Sequence, residues 1–202
     1  EISACLVGSE MCIRDRVRLT KVKKTYAYAR LERLLEPSLD RTEPRCPLHR
    51  SCGGCQIQAL SYEKQLEFKA DKVRGHLERI GGFANLPMEP IIGMKDPFHY
   101  RNKAQFPVGR NRDGKIVTGF YAGRTHSIIE NRDCVLGVPQ NREILDRVID
   151  YMETYDISPY DEVTGKGLIR HIFTRYGYHT GEIMVCICLL YTSDAADDMQ
   201  CV

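Results

Sequence analysis

Three cysteines fall within ten residues in Cys46-Pro47-Leu48-His49-Arg50-Ser51-Cys52-Gly53-Gly54-Cys55. The spacing Cys-x5-Cys-x2-Cys can bring three thiolates onto one soft cation or cluster, and Gly53-Gly54 lets the backbone fold tightly around it. A cubane 4Fe–4S cluster takes four sulfur ligands, so a distant fourth cysteine is expected. Cys134, in Asn131-Arg132-Asp133-Cys134, is the best candidate, with 78 residues between it and Cys55. A structural zinc site could use the same sulfurs, with His49 as an alternative fourth ligand. Disulfides fit less well, because nine cysteines is an odd count and no secretory segment precedes them. A radical adenosylmethionine enzyme would want Cys-x3-Cys-x2-Cys, and the first gap here is two residues too long.

Both ends read as foreign to the rest. Residues 1–16 and 188–202 resemble translated sequencing-adapter read-through, which implies a gene fragment bounded near Val17 and Ile187. Setting aside Arg14 and Arg16 with Glu1, Glu10, Asp15, Asp194, Asp197 and Asp198 turns a net charge of +2 into +6. That excess suits a phosphate-backbone partner without requiring one. The cysteines left are Cys46, Cys52, Cys55, Cys134 and Cys186. No apolar run approaches the ~20 residues of a membrane span, so no membrane partner is expected.

Periodicity predicts an α+β fold. Val17 to Glu36 alternates as two strands around Lys23-Lys24-Thr25, with basic and aromatic residues interleaved as in a small nucleic-acid-binding barrel lacking its first strands. A polar linker with Pro37 and Pro44 follows. Ser61 should cap a helix reaching Ile80, with Tyr62, Leu66, Ala70, Val73, Leu77 and Ile80 as its apolar stripe. Strands are predicted at Met88–Ile92, Lys103–Val108, Lys115–Tyr121 and Ser127–Glu130, with a hairpin turn at Asn111-Arg112-Asp113-Gly114. Asn141 should cap a second helix carrying Ile144, Leu145, Val148, Ile149, Met152 and Tyr155, before a hairpin of Leu168–Tyr176 and Glu182–Ile187.

The cysteine spacing with its glycines, the Tyr100-Arg101-Asn102-Lys103 segment at a strand start and the later Asp133-Cys134 occur in one order. Together they resemble the bacterial 23S ribosomal RNA (uracil-5-)-methyltransferases over roughly residues 17–187. The resemblance implies a partial TRAM RNA-binding domain and linker at 17–45 and an iron–sulfur central domain at 46–187. It also implies a C-terminal Rossmann-like domain, here absent, that holds S-adenosylmethionine. In that family a cysteine thiolate adds to C6 of a flipped uracil, C5 takes the methyl group, and a carboxylate removes the C5 proton. These groups belong to the absent domain. No glycine-rich strand-to-helix turn follows Ile187, so no catalytic or cofactor-binding residue is assigned and the chain alone is expected to be inactive.

The resemblance assigns Cys46, Cys52, Cys55 and Cys134 to a structural 4Fe–4S cluster, with Gln56 to Gln58 beside it. Tyr100, Arg101, Asn102 and Lys103 supply the aromatic face, guanidinium, amide and ammonium that single-stranded RNA recognition uses. Strand alternation puts Arg101 and Lys103 on one face, as the favoured backbone contacts. Arg110, Arg112 and Arg124 are possible phosphate contacts, while His126, His171 and His179 read as isolated structural residues. The expected partner is 23S ribosomal RNA, for a cytoplasmic monomer. A stand-alone zinc-binding RNA-binding module without enzymatic activity is the alternative.

Overall fold

The computed structural model describes residues 14–83 and 85–190. It is α+β, with mostly antiparallel strands and two helices, and divides into two compact units. The expected terminal artefacts lie largely outside the described residues, among which the elements span Arg14 to Leu189.

One unit takes in the described part of Glu1–Arg45 together with Cys55–Met94. Its strands β1 (Arg14–Val22) and β2 (Ala27–Glu36) pair antiparallel, closed by Lys23 N–H donating to the Tyr26 carbonyl at 2.7 Å. Both are largely exposed, and Tyr26 and Tyr28 meet edge to face at 5.5 Å. Helix α1 (Tyr62–Arg79) starts where expected, since the Ser61 hydroxyl accepts from Lys64 N–H. Its apolar stripe is only half covered: no residue of α1 is buried, and Val73 is 51% exposed. Helix α1 falls in the same compact unit as the N-terminal hairpin. No strand forms at Met88–Ile92. Pro87 and Pro90 remove ladder donors on either side of Met88, and a chain with two such gaps cannot pair regularly.

The other unit, Cys46–Gly54 with Lys95 onward, is built on a five-stranded antiparallel sheet of order β5-β4-β3-β6-β7. The strands are β3 (Lys103–Arg110), β4 (Ile116–Tyr121), β5 (Ile128–Glu130), β6 (Ile169–Tyr176) and β7 (Ile183–Leu189). Between β3 and β4 the Asn111 side-chain oxygen accepts from Asp113 and Lys115 N–H, and Gly114 takes the positive φ the turn requires. Helix α2 (Gln140–Thr154) lays Leu145, Ile149 and Met152 on Ala104, Phe106, Val108, Ile116, Ile169 and Ile172, forming the core. Asn141 is not its cap. The helix begins one residue earlier behind Pro139, and the Asn141 side chain is buried.

Candidate functional site

The cysteine loop is made by local hydrogen bonding and then pinned to the sheet. Ser51 and Cys52 N–H both donate to the Leu48 carbonyl, winding the chain so that Cys52 returns toward Cys46. Gly53 N–H donates to the Tyr121 carbonyl at 2.9 Å, and Cys52 bridges to Ala122 just past β4. A side chain at Gly53 would stand 2.9 Å from the Tyr121 oxygen and 3.1 Å from the Gly123 nitrogen, so only glycine allows this approach.

Cys134 reaches the same neighbourhood from β5. Asn131 N–H donates to the Thr118 carbonyl, and Arg132 extends from there to Asp146 of α2 at 3.0 Å and to Glu130 at 3.3 Å. Gly137 N–H then closes a turn onto the Cys134 carbonyl. Burial pushes the Cys46 thiol up, a backbone N–H from Leu48 draws it down, and negative charge at Cys134 and Cys52 pushes it up again. A groove of about 520 Å³ runs between Cys46 and Leu48 on one side and Asn131, Arg132, Asp133 and Val135 on the other.

The Tyr100-Arg101-Asn102-Lys103 segment lies alongside the Cys134 turn. His99 N–H donates to the Val135 carbonyl, Arg101 N–H donates to that of Leu136 at 2.8 Å, and the His99 ring Nδ1 meets the Gly137 carbonyl at 2.8 Å. Tyr100 is 49% exposed, while the Lys103 ammonium sits 5.3 Å over the Phe173 ring. Cys55 belongs to the first unit, where its sulfur accepts from the Gln58 amide at 3.8 Å.

The chain was compared with known proteins. A Bacillus cereus protein named as an uncharacterized RNA methyltransferase is 44% identical over 170 residues, which are 84% of this chain and 37% of that protein. Proteins of the same description from Halalkalibacterium halodurans and Clostridium tetani are 42% and 38% identical, over 86% and 92% of this chain and 38% and 39% of theirs. The chain belongs to this RNA methyltransferase family. It spans under two fifths of the length of these relatives. The crystal structure of Pyrococcus abyssi tRNA (uracil-54, C5)-methyltransferase with S-adenosyl-L-homocysteine superposes with a TM-score of 0.62 at 26% identity, covering 86% of this chain and 38% of that one. No protein-family model matches the chain.

In this member of the family the donors fit a sulfur-ligated cluster by their chemistry: soft thiols, one of them buried at 8% exposure, on a loop with no room for a side chain at Gly53. Among the described residues no three or more Cys, His, Asp or Glu side chains are drawn together as ligands of a metal ion. No helix among them is long and apolar enough to cross a membrane. Sequence reasoning missed one grouping. His126 is not isolated: its ring stacks on Tyr121 at 5.1 Å and its Nδ1 meets the Glu162 carboxylate at 2.6 Å. The partners lie 36 residues apart, and no local pattern signals such a pair.

Proposed function

We propose that this chain is the RNA-contacting and cluster-holding portion of an enzyme that methylates C5 of uracil in 23S ribosomal RNA. S-adenosylmethionine would supply the methyl group. The relation to RNA methyltransferases carries the reading, supported by Cys46 facing Asp133 and Val135, the neighbours of Cys134, across one groove. Cys46, Cys52 and Cys134, with Cys55 from the sequence spacing, would hold a 4Fe–4S cluster, which when bound supplies a structural cross-link. The chain's own residues position the sulfurs: β5 and Arg132 set Cys134, and Gly53 sets Cys52. Tyr100 and Arg101, braced on the Cys134 turn, offer a stacking face and a guanidinium to RNA, with Asn102 and Lys103 beside them. Residues 17–45 are read as the TRAM remnant and 46–187 as the central domain of a cytoplasmic monomer.

The test is anaerobic purification or reconstitution of the chain with iron and sulfide. A brown protein absorbing near about 400 nm is expected, and Cys134→Ser should lose most of its iron. A colourless protein with one tightly held zinc would overturn the cluster and favour the stand-alone zinc module. The solved relative acts on tRNA by its title, which makes tRNA the second reading for substrate. Competition between a 23S ribosomal RNA fragment and tRNA for the chain separates the two, and no methyl transfer by the chain alone is expected.

A further inference from the structure

Beyond the cysteine site, the second unit carries a chain of aromatic and charged groups, half-buried at Tyr121 and Tyr160 and exposed at His126 and Arg170, that the reading above leaves unused. Tyr121 ends β4 and stacks on His126 with the ring planes 24° apart. His126 meets Glu162 through Oε2, and Arg170 at the start of β6 meets the same carboxylate through Oε1 at 3.6 Å. The Arg170 guanidinium also lies 5.7 Å over the Tyr160 ring. His126 is 73% exposed and Arg170 47%, so the network forms surface.

The loop joining Tyr121 to His126 adds a second cation. Ala122 N–H donates to the Ser127 carbonyl, Thr125 N–H donates to that of Ala122, and the Thr125 hydroxyl accepts from Ser127 N–H. This tight loop holds Arg124 at φ +63°, a conformation that a side chain other than glycine adopts at a cost. Arg124 is exposed and pairs with no carboxylate among the described residues. An arginine kept in a glycine conformation, with its charge unspent, is unexplained by packing. Glycine would fit the loop better and lose only the guanidinium.

We propose that the Tyr121–His126 stack, Arg124 and the Arg170–Tyr160 pair form a docking surface for a single-stranded segment of the RNA. A base would stack on the exposed His126 ring, backed by Tyr121, and the two guanidiniums would take phosphates. The proposal rests on the RNA reading above but names a site separate from Tyr100-Arg101-Asn102-Lys103. Glu162 is spent on His126 and Arg170, so it holds the rings and the cation in place instead of repelling the backbone.

The test is fluorescence anisotropy of a short, labelled, uridine-rich single-stranded RNA titrated with the 202-residue chain at several salt concentrations. Arg124→Gly should reduce the magnitude of the slope of log affinity against log salt by about 0.7, the loss of one single-strand phosphate contact. It should also leave the melting temperature unchanged or raised, because the loop is relieved of strain. Arg124→Lys should restore the slope, and His126→Ala should weaken binding about fivefold or more with the slope intact. If wild type binds but all three variants match it in affinity and slope, the surface is overturned and the RNA reading stands. If the wild-type chain binds no RNA, both fall together.

Discussion

Gly119 is the residue through which the sheet sets Cys134. It faces Glu130 across the β4–β5 ladder, and a Cβ there would collide with the Ile129 carbonyl oxygen and stand 2.5 Å from the Asn131 nitrogen. Ordinary contact begins at 3.4 Å, so in Gly119→Ala the β5 backbone has to retreat by about 1 Å. The Asn131 N–H···Thr118 bond, now 3.1 Å, would stretch past bonding distance, and the short ladder beside it would go with it. Three to four backbone bonds at about 1 kcal/mol net each put the cost at about 2–4 kcal/mol. For a chain of this size that lowers the melting temperature by about 5–15 °C. Gly123→Ala is the control: nothing lies within 4 Å of its Cβ, and it should be neutral or stabilise by up to about 1 kcal/mol. Thermal melts by circular dichroism read the stability, and iron per chain after reconstitution reads the position of Cys134. Gly119→Ala with wild-type melting and full iron would refute the claim that β5 positions the sulfur.

Two further outcomes follow from the second unit. Met152 is fully buried in the core, and Met152→Ala should cost about 2–5 kcal/mol by chemical denaturation. Acid should destabilise the chain in two stages. Burial, followed by the charge of Arg170, holds His171 below the ordinary histidine range, so the folded state favours the neutral ring. That stability is present above about pH 6.5 and is lost as pH falls through the folded value. Glu162, held down first by its hydrogen bond with His126, and Asp161, held down first by Val163 N–H, favour their ionised forms. Their contribution persists above the ordinary carboxylate range and fades below about pH 4. Melts across pH should show His171→Gln flattening the upper stage, and Glu162→Gln reducing the lower stage while pushing His171 further down, since the Glu162 charge raises it.

The parts of the fold legible in sequence are those written in local chemistry. Asn111 to Gly114 names its own turn, Ser61 its own cap, and the stripe of Leu145, Ile149 and Met152 its own buried face. What escaped was set by tertiary context. Asn141 has the chemistry of a cap, yet the side chain is enclosed and the helix starts ahead of it. Lys103 also lies over Phe173, which faces Gln105 across the β3–β6 pair, a contact no local pattern signals. The His126–Glu162 pair joins two loops whose meeting depends on the whole sheet.

One physical consequence unites the two candidate surfaces. The strand β4 touches both: Thr118 and Gly119 hold the β5 backbone that leads to Cys134, while Tyr121 accepts the Gly53 bond and begins the stack on His126. A change that loosens the cysteine loop removes the bond at the Tyr121 carbonyl and the bridge at Ala122, two anchors of the loop that carries Arg124. Gly53→Ala supplies that change without touching a sulfur or a cation, since its new methyl must displace backbone at 2.9 Å. If the loops are mechanically continuous, it lowers RNA affinity while leaving the salt slope nearly unchanged, because Arg124 is misplaced but still charged. If the loops are independent, the same variant loses iron and binds RNA as wild type does.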